Sequence, residues 1–287
     1  MKRVFLFLVT NILIVLTINI LLSLLGVNYY LYQQGIDFKQ LAAFCLVWGM
    51  AGSLISLGIS KWMAKMSLGV KVVEKHSAEL GWLVSMVEHL SRKAGLPVTP
   101  EVGIWNSPEV NAFATGPSKR HSLVAFSTGL LGTMSRDEIE GVAAHEIAHI
   151  SNGDMVTMTL LQGVVNAFVM FFARVAAWAI SQNMREENRA GIQFAVTLVL
   201  ELVLGVLGML VVAAFSRHRE FRADAGGAKY AGREDMIAAL ERLSVAYRRY
   251  DKDAALATLK IAGGVGRFFA SHPPLEKRIE ALRAGAY

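Results

Sequence analysis

The sequence predicts a mainly helical membrane protein of the α+β class, with four transmembrane helices and a small antiparallel β-sheet outside the bilayer. Of the 287 residues, 54% are hydrophobic and only 18% are charged, a composition unusual for a soluble enzyme. Four mostly apolar segments of roughly 20 or more residues are long enough to cross a hydrocarbon core about 30 Å thick. They cover residues 4–25, 41–60, 155–180 and 191–215.

The first apolar segment lies where a signal peptide would lie. It carries no charged residue, has no small-residue cleavage site and is followed by further apolar segments, so we expect a retained anchor. The single cysteine, Cys45, lies in the second segment. One thiol excludes both a disulfide framework and a thiolate zinc site within one chain.

The basic residues indicate a partner and an orientation. The net charge is +6, and the lysines and arginines cluster beside the ends of the apolar segments, where anionic headgroups attract them. A lipid bilayer is therefore the expected partner, and nucleic acid is not. Because cytoplasmic flanks carry the excess of lysine and arginine, we expect both termini and the stretch between the second and third segments to face the cytoplasm.

The polar stretch of residues 61–154 is predicted to contain helices and a small sheet. Apolar residues from 80 to 87 recur at helical spacing, and this pattern stops at Gly95. Three short extended stretches follow, at residues 101–105, 111–115 and 121–126. An antiparallel sheet is their simplest arrangement. Ser135 and Glu138 then form a predicted capping box that opens the next helix.

The polar stretch after the fourth segment is predicted to be helical. Residues 219–231 and 233–250 have the pattern of two helices divided at Gly232, and residues 275–283 form a last predicted helix after two prolines. We therefore expect two N-terminal transmembrane helices, a polar part, a transmembrane hairpin and a second polar part that completes the first. The corresponding ranges are residues 1–60, 61–154, 155–215 and 216–287.

The motif HEIAH at residues 145–149 indicates the chemistry. On a helix it places the imidazoles of His145 and His149 one turn apart on one face, the separation needed to bind a single tetrahedral zinc ion. Glu146 is rotated by about a quarter turn, which leaves its carboxylate beside the metal. From there it can take a proton from the attacking water. The motif thus predicts one Zn²⁺ per chain and hydrolysis of a peptide bond.

A catalytic zinc site needs a third protein ligand, and the hairpin indicates Glu220. His149 precedes the third apolar segment by six residues and Glu220 follows the fourth by five, so an antiparallel pair of spans returns Glu220 to the height of His149. Asp224 lies one turn further on and can accept the free ring N–H of a ligating histidine. The alternative is that both acids belong to a solvated face and pair with neighbouring arginines.

Taken together, these motifs resemble those of the HtpX heat-shock membrane metalloproteases. The resemblance rests on HEIAH before a membrane hairpin, on SRHREFRAD at residues 216–224, on NAFATG at residues 111–116 and on SHPPLEKRI at residues 271–279. It covers nearly the whole chain, including the order of the four spans. The core is also similar to that of the CAAX prenyl endopeptidases, and the Glu-x-x-x-Asp element is similar to that of thermolysin-like zincins.

The resemblance implies a cytoplasmic, zincin-like catalytic domain that cleaves misfolded or damaged membrane proteins at the bacterial inner membrane without ATP. Its substrates would be membrane proteins or unfolded polypeptides. It also implies that His272 or Asn111 approaches the oxyanion of the reaction, and that Arg278 organises the site. Residues 111–115 would either pair with substrate as an edge strand or form an ordinary core strand.

Two other classes of function compete with a protease. A zinc transporter or sensor also has histidines and carboxylates near its spans, but its ligands should lie within the bilayer, and these do not. A catalytically inactive scaffold that binds membrane proteins has no need of a base such as Glu146.

Glu201 lies inside the fourth apolar segment, where an ionisable side chain normally faces the interior of the helix bundle. At a rise of about 1.5 Å per residue, Asn19 of the first segment lies at a similar depth, whereas Arg174 of the third lies deeper. We therefore expect Glu201 to hydrogen-bond Asn19 or, as the second choice, Arg174. Such a bond would stabilise the hairpin that aligns Glu220 with the histidines.

Overall fold

The computed structural model describes residues 37–255 and 272–285, without the side chains of residues 247–255. Its elements are, in chain order, α1 (Phe38–Ser67), β1 (Lys71–Val72), α2 (Gly81–Lys93), β2 (Glu101–Trp105), β3 (Ala112–Ser118), β4 (His121–Ser127), α3 (Thr128–Thr133), α4 (Arg136–Asn152), α5 (Asp154–Ser181), α6 (Glu186–Tyr230), α7 (Arg233–Ala255) and α8 (Leu275–Ala284). The first predicted span and Asn19 lie outside the described residues.

Three of these helices, α1, α5 and α6, are long and apolar enough to cross a membrane. They contain the second, third and fourth predicted spans, and apolar side chains such as Val47, Phe168 and Val199 are exposed on them, as lipid-facing residues would be. The prediction of a mainly helical membrane protein is therefore confirmed.

Helix α6 is longer than predicted. It runs unbroken for 45 residues, so the span predicted at residues 191–215 and the helix predicted at residues 219–231 are one helix. The basic stretch after Phe215 contains neither glycine nor proline, so nothing in it breaks the hydrogen-bond ladder. The helix ends before Gly232, whose φ of 118° is in the region that favours glycine.

The chain divides into two compact units. Within the described residues, the membrane unit comprises residues 37–53 and 160–211, and the polar unit comprises residues 54–159 and 212–285. In the membrane unit, Gly49 of α1 lies so close to α5 that a Cβ would stand 2.7 Å from the backbone nitrogen of Ala167. Small residues at such crossings are how membrane helices pack closely.

An ion pair is buried in the membrane unit. Glu201 and Arg174 are 3% and 7% exposed, and Nη1 of Arg174 donates to Oε1 of Glu201. The same Nη1 lies 3.1 Å from the carbonyl oxygen of Met170. Glu201 thus faces the interior as predicted, and within the described residues it pairs with Arg174, the second choice, whose long side chain spans the difference in depth. The predicted bond to Asn19 lies outside the described residues.

The sheet of the polar unit is mixed and has the order β1-β2-β4-β3. The pair β3–β4 is antiparallel, as predicted, but β2 and β4 run parallel, so the prediction of a purely antiparallel sheet was wrong. Strand β1, which was not predicted, pairs antiparallel with β2. The reason is packing: residues 122–127 of β4 are all buried, and this apolar strand takes a central position between its hairpin partner β3 and the earlier strand β2. Strand β3 is left at one edge.

Helix α4 lies in the core of the polar unit. Leu83, Val87 and Leu90 of α2, which recur at helical spacing, pack in one cluster with Phe126 of β4 and Ile147 of α4. The predicted capping box is present at the start of α4: the Ser135 hydroxyl accepts from the Glu138 N–H, and the Glu138 carboxylate accepts from the Ser135 N–H. The helix that carries HEIAH is therefore fixed at its start and packed along its length.

Candidate metal centre and active site

Three ligand atoms converge in the polar unit. Nε2 of His145 and Nε2 of His149 are 3.1 Å apart, which is the contact expected from two histidines one helical turn apart. The carboxylate of Glu220 spans both rings, with Oε2 3.4 Å from His145 Nε2 and Oε1 3.4 Å from His149 Nε2. All three side chains are buried, and one ligand atom from each lies within 4.8 Å of the others.

The ring orientations show what this cluster can bind. Nδ1 of His145 is 2.9 Å from Oδ1 of Asp224, and Nδ1 of His149 is 2.7 Å from Oδ2 of Asp154. An ionised carboxylate only accepts, so each Nδ1 carries a proton, and in the neutral form of each ring, the form that binds a metal, Nε2 presents a lone pair toward the other ring. Two lone pairs and a carboxylate in one buried place require a cation between them.

Glu220 supports the same conclusion. Its side chain is fully buried. Within the described part of the chain Oε1 has no hydrogen-bond partner, and Nη2 of Arg219 lies 3.6 Å from it, beyond hydrogen-bond distance. An ionised oxygen buried in this way is costly unless it meets a positive charge. Two imidazole nitrogens and one carboxylate oxygen are the ligand set of a catalytic zinc site with an open fourth position, so the residues fit a zinc ion.

The environment also favours a positive charge on His145. Burial lowers the pKa of its imidazole, but hydrogen bonds to Asp224 and Glu220 outweigh burial and raise the pKa to about 9. The two carboxylates therefore attract a cation at this position whether that cation is a proton or a metal.

Asp224 and Arg278 extend the cluster on the side of His145. Arg278 is 5% exposed and binds Asp224 through two bonds, Nε to Oδ2 at 2.7 Å and Nη2 to Oδ1 at 2.5 Å. Its Nη1 is 3.5 Å from Oε2 of Glu220. Nη2 is also 3.3 Å from Nδ1 of His145, but the shorter contact of that ring nitrogen is with the Asp224 carboxylate. Asp224 therefore contacts the ring of His145 directly, and Arg278 contacts Asp224.

Two glycines set the distance between α4 and the last turns of α6. A Cβ on Gly226 would stand 2.6 Å from the Cβ of Ala148, and one on Gly227 would stand 3.2 Å from the backbone nitrogen of His145. The first distance is too short for a Cβ, and the second is tight enough that the neighbouring backbone would have to give by a few tenths of an ångström. The approach of these two helix backbones brings Glu220 and Asp224 within reach of the histidines.

The other predicted site residues lie at different distances from the cluster. Glu146 is half-buried on α4, and its charge is among those that act on Arg278. His272 is 61% exposed and its Nδ1 is 2.7 Å from Oε2 of Glu220. Asn111 is tied to Ser127 at the start of β3 through its backbone, and within the described residues its side chain makes no hydrogen bond to the cluster.

Sequence reasoning missed Asp154 and Arg222. Asp154 is fully buried against His149, and Arg222 Nη2 is 2.5 Å from its other oxygen. Five residues separate His149 from Asp154, and on an unbroken helix that spacing turns the two side chains about 140° apart. The one sequence feature that could have indicated this contact is Gly153, because a glycine can end a helix. In the structure Gly153 interrupts the helix with a φ of 73°.

The fold and the site together define a membrane-bound metalloprotease: an HExxH helix, a carboxylate from a later helix, and three helices that can cross a bilayer. The model of peptidase family M48 matches residues 77–286. The chain therefore belongs to peptidase family M48.

Curated relatives place the chain beside the HtpX proteases, as the motifs predicted. It is 52% identical to a protease HtpX homolog of Bacillus licheniformis, with 99% of each chain covered. It is 49% identical to protease HtpX of Cellvibrio japonicus, with 100% of each chain covered. The crystal structure of S. mikatae Ste24p has a similar fold, with a TM-score of 0.63 and 19% sequence identity. That match covers 93% of this chain and 64% of Ste24p, so the chain spans less than two thirds of that longer protein.

Proposed function

We propose that this protein is a zinc-dependent endopeptidase that cleaves misfolded or damaged membrane proteins on the cytoplasmic side of the bacterial inner membrane. The observation that carries the proposal is the meeting of His145, His149 and Glu220 around one point, with both imidazole lone pairs directed inward. A zinc transporter is disfavoured because all three residues belong to the polar unit.

His145, His149 and Glu220 would hold one zinc ion. When bound, zinc supplies a Lewis acid that lowers the pKa of water and polarises the peptide carbonyl. Asp224 holds the imidazole of His145 in the tautomer whose Nε2 is free to bind. Arg278 balances the charge of Asp224 and Glu220, which reduces the repulsion between these two buried carboxylates.

Glu146 would act as the general base. Its position next to His145 on α4 directs it beside the ligand face instead of onto it. Its carboxylate takes a proton from the attacking water and passes that proton to the leaving amine nitrogen. A ligand set alone gives metal binding, so Glu146 is what separates an enzyme from an inactive scaffold.

His272 and Asn111 are the proposed donors to the oxyanion. Nδ1 of His272 donates to the carboxylate of Glu220, which leaves the opposite edge of the exposed ring to face the substrate oxygen. Its exposure suits a group that meets substrate. Asn111 directly precedes the edge strand β3, so a substrate that pairs with this strand would pass next to it.

The proposal is tested on the full chain purified in detergent. We expect one zinc per chain and hydrolysis of casein that a chelator abolishes and added zinc restores. Glu146→Gln should keep the zinc and lose nearly all hydrolysis, because the ligands are intact and the base is gone. Glu220→Ala should lose zinc and hydrolysis together. Glu79→Gln, an exposed change of the same kind, is the control.

Hydrolysis by Glu146→Gln at the wild-type rate would contradict the mechanism. Zinc binding by Glu220→Ala at the wild-type affinity would identify another residue as the third ligand.

A further inference from the structure

The metal site contains a second aspartate that the sequence motifs do not explain. Asp154 is fully buried, and each of its oxygens has one close partner: Oδ2 is 2.7 Å from His149 Nδ1, and Oδ1 is 2.5 Å from Arg222 Nη2. A buried carboxylate is strongly destabilising unless it is paired, and Asp154 meets this requirement through an imidazole of the metal cluster and a guanidinium.

The arrangement repeats the one around the other histidine. His145 is bound through Nδ1 by Asp224, which is bound in turn by Arg278. His149 is bound through Nδ1 by Asp154, which is bound in turn by Arg222. Each imidazole of the cluster therefore has its own aspartate and its own arginine, drawn from different parts of the chain.

A single backbone feature makes the second arrangement possible. Helix α4 ends at Gly153, which has a left-handed φ of 73° and donates its N–H to the carbonyls of His149 and Ile150. Asp154 then begins α5 directly. The turn folds the aspartate back onto the ring five residues earlier, a contact that a continuous helix does not allow.

We propose that Asp154 is the positioning residue of His149: it fixes the Nδ1–H tautomer, so that Nε2 is held toward the metal, and Arg222 serves only to balance its charge. This inference rests on the proposed zinc site. The competing interpretation is that Asp154 and Arg222 form a structural clasp, meaning an ion pair that only links the start of α5 to the later part of α6. The contact of Asp154 with His149 would then have no effect on the metal site.

The two interpretations differ in what the partner substitutions do. Asp154→Asn removes both the ion pair and the charged acceptor of His149, whereas Arg222→Gln removes only the ion pair. If Asp154 positions His149, Asp154→Asn weakens zinc affinity by about 10- to 100-fold, and Arg222→Gln leaves it close to the wild-type value. If the pair is a clasp, both variants weaken zinc binding alike.

The experiment uses the full chain in detergent and measures three properties of each variant: zinc affinity by competition with a chelator, the visible spectrum of the Co²⁺-substituted protein, and the midpoint of thermal unfolding. We expect a changed cobalt spectrum for Asp154→Asn alone. Asp137→Asn, an exposed change on the same helix as the histidines, is the matched control and should resemble the wild type.

Wild-type zinc affinity and cobalt spectrum in Asp154→Asn would overturn the proposal. A loss of zinc affinity in Arg222→Gln as large as that in Asp154→Asn would also overturn it. Because Arg222 is 55% exposed, its variant is expected to fold, and its zinc affinity decides between the interpretations even if Asp154→Asn does not accumulate. Failure of the proposed function is seen separately, as a wild-type protein without zinc or without chelator-sensitive hydrolysis.

Discussion

The imidazoles of His145 and His149 are held by carboxylates that come from different helices. Asp224 of α6 binds one ring and Asp154 of α5 binds the other. A histidine can offer either nitrogen to a metal, and the hydrogen bond at the second nitrogen decides which one it offers. The site is therefore built from neighbours of the ligands as much as from the ligands themselves.

We expect Asp224→Asn to weaken zinc affinity by about 10- to 100-fold, because the neutral amide holds the ring of His145 less firmly and no longer balances Arg278. The measurement is zinc competition with a chelator, with Asp137→Asn as control. An unchanged affinity would mean that Asp224 contributes only to packing of the site.

At the scale of elements, the position of Glu220 depends on how closely α6 approaches α4. The glycines at positions 226 and 227 allow the two backbones to come together beside Ala148 and His145. Their contribution is steric: the contact distance is shorter than any side chain with a Cβ permits.

We expect Gly226→Ala to separate the two helices, because the new Cβ would lie 2.6 Å from the Cβ of Ala148 and neither atom can rotate away. A misplacement of about 1 Å can cost on the order of 10²-fold in rate, so even a smaller displacement of Glu220 should lower both activity and zinc affinity. The readouts are zinc affinity and casein hydrolysis. Gly132→Ala is the matched control, because its Cβ would meet nothing within 4 Å, and a Gly226→Ala variant that behaves like it would contradict the role of the contact.

The buried pair of Arg174 and Glu201 acts at the same scale, between α5 and α6. Glu201→Leu removes the negative charge beside a buried guanidinium, which in proteins costs on the order of 3–5 kcal/mol, so we expect a lower midpoint of thermal unfolding in detergent. The double variant with Arg174→Leu should recover much of the loss, because both charges are then gone.

Val203→Leu, a change at a side chain that is 52% exposed, is the control for that measurement and should leave the midpoint unchanged. A wild-type midpoint for Glu201→Leu would show that the pair does not stabilise the membrane unit.

At the scale of the whole molecule, the chain alternates between its two units. It contributes residues 37–53 and 160–211 to the membrane unit and residues 54–159 and 212–285 to the polar unit. The histidines and Glu220 therefore lie on either side of the membrane hairpin in the sequence but in the same polar unit.

The proposed orientation follows from the basic flanks and is testable on whole cells. In a Cys45→Ser background, we expect Tyr30→Cys to react with a maleimide that does not cross the inner membrane, and Arg120→Cys, in the turn between β3 and β4, to react only after lysis. Labelling of Arg120→Cys in intact cells would place the active site on the opposite side.

Much of the fold was predictable because it depends on local patterns. Apolar length identified the three membrane-capable helices, helical spacing identified α2, and the capping box located the start of α4. The boundaries of β2 agreed with the prediction to the residue. The parallel pairing of β2 with β4 was not predictable, because pairing depends on which strand is most buried, and burial is a property of the assembled sheet.

The sequence by itself predicted which three residues meet: the spacing of HEIAH and the symmetry of a hairpin indicated His145, His149 and Glu220 as candidate ligands, since both follow from helix geometry. Only the tertiary structure decided what holds those ligands. Asp154 reaches His149 through one left-handed glycine, Arg222 reaches Asp154 across 68 positions, and Arg278 reaches Asp224 across 54. Such contacts leave no periodic pattern in the sequence, because they depend on a turn and on the close packing of distant helices.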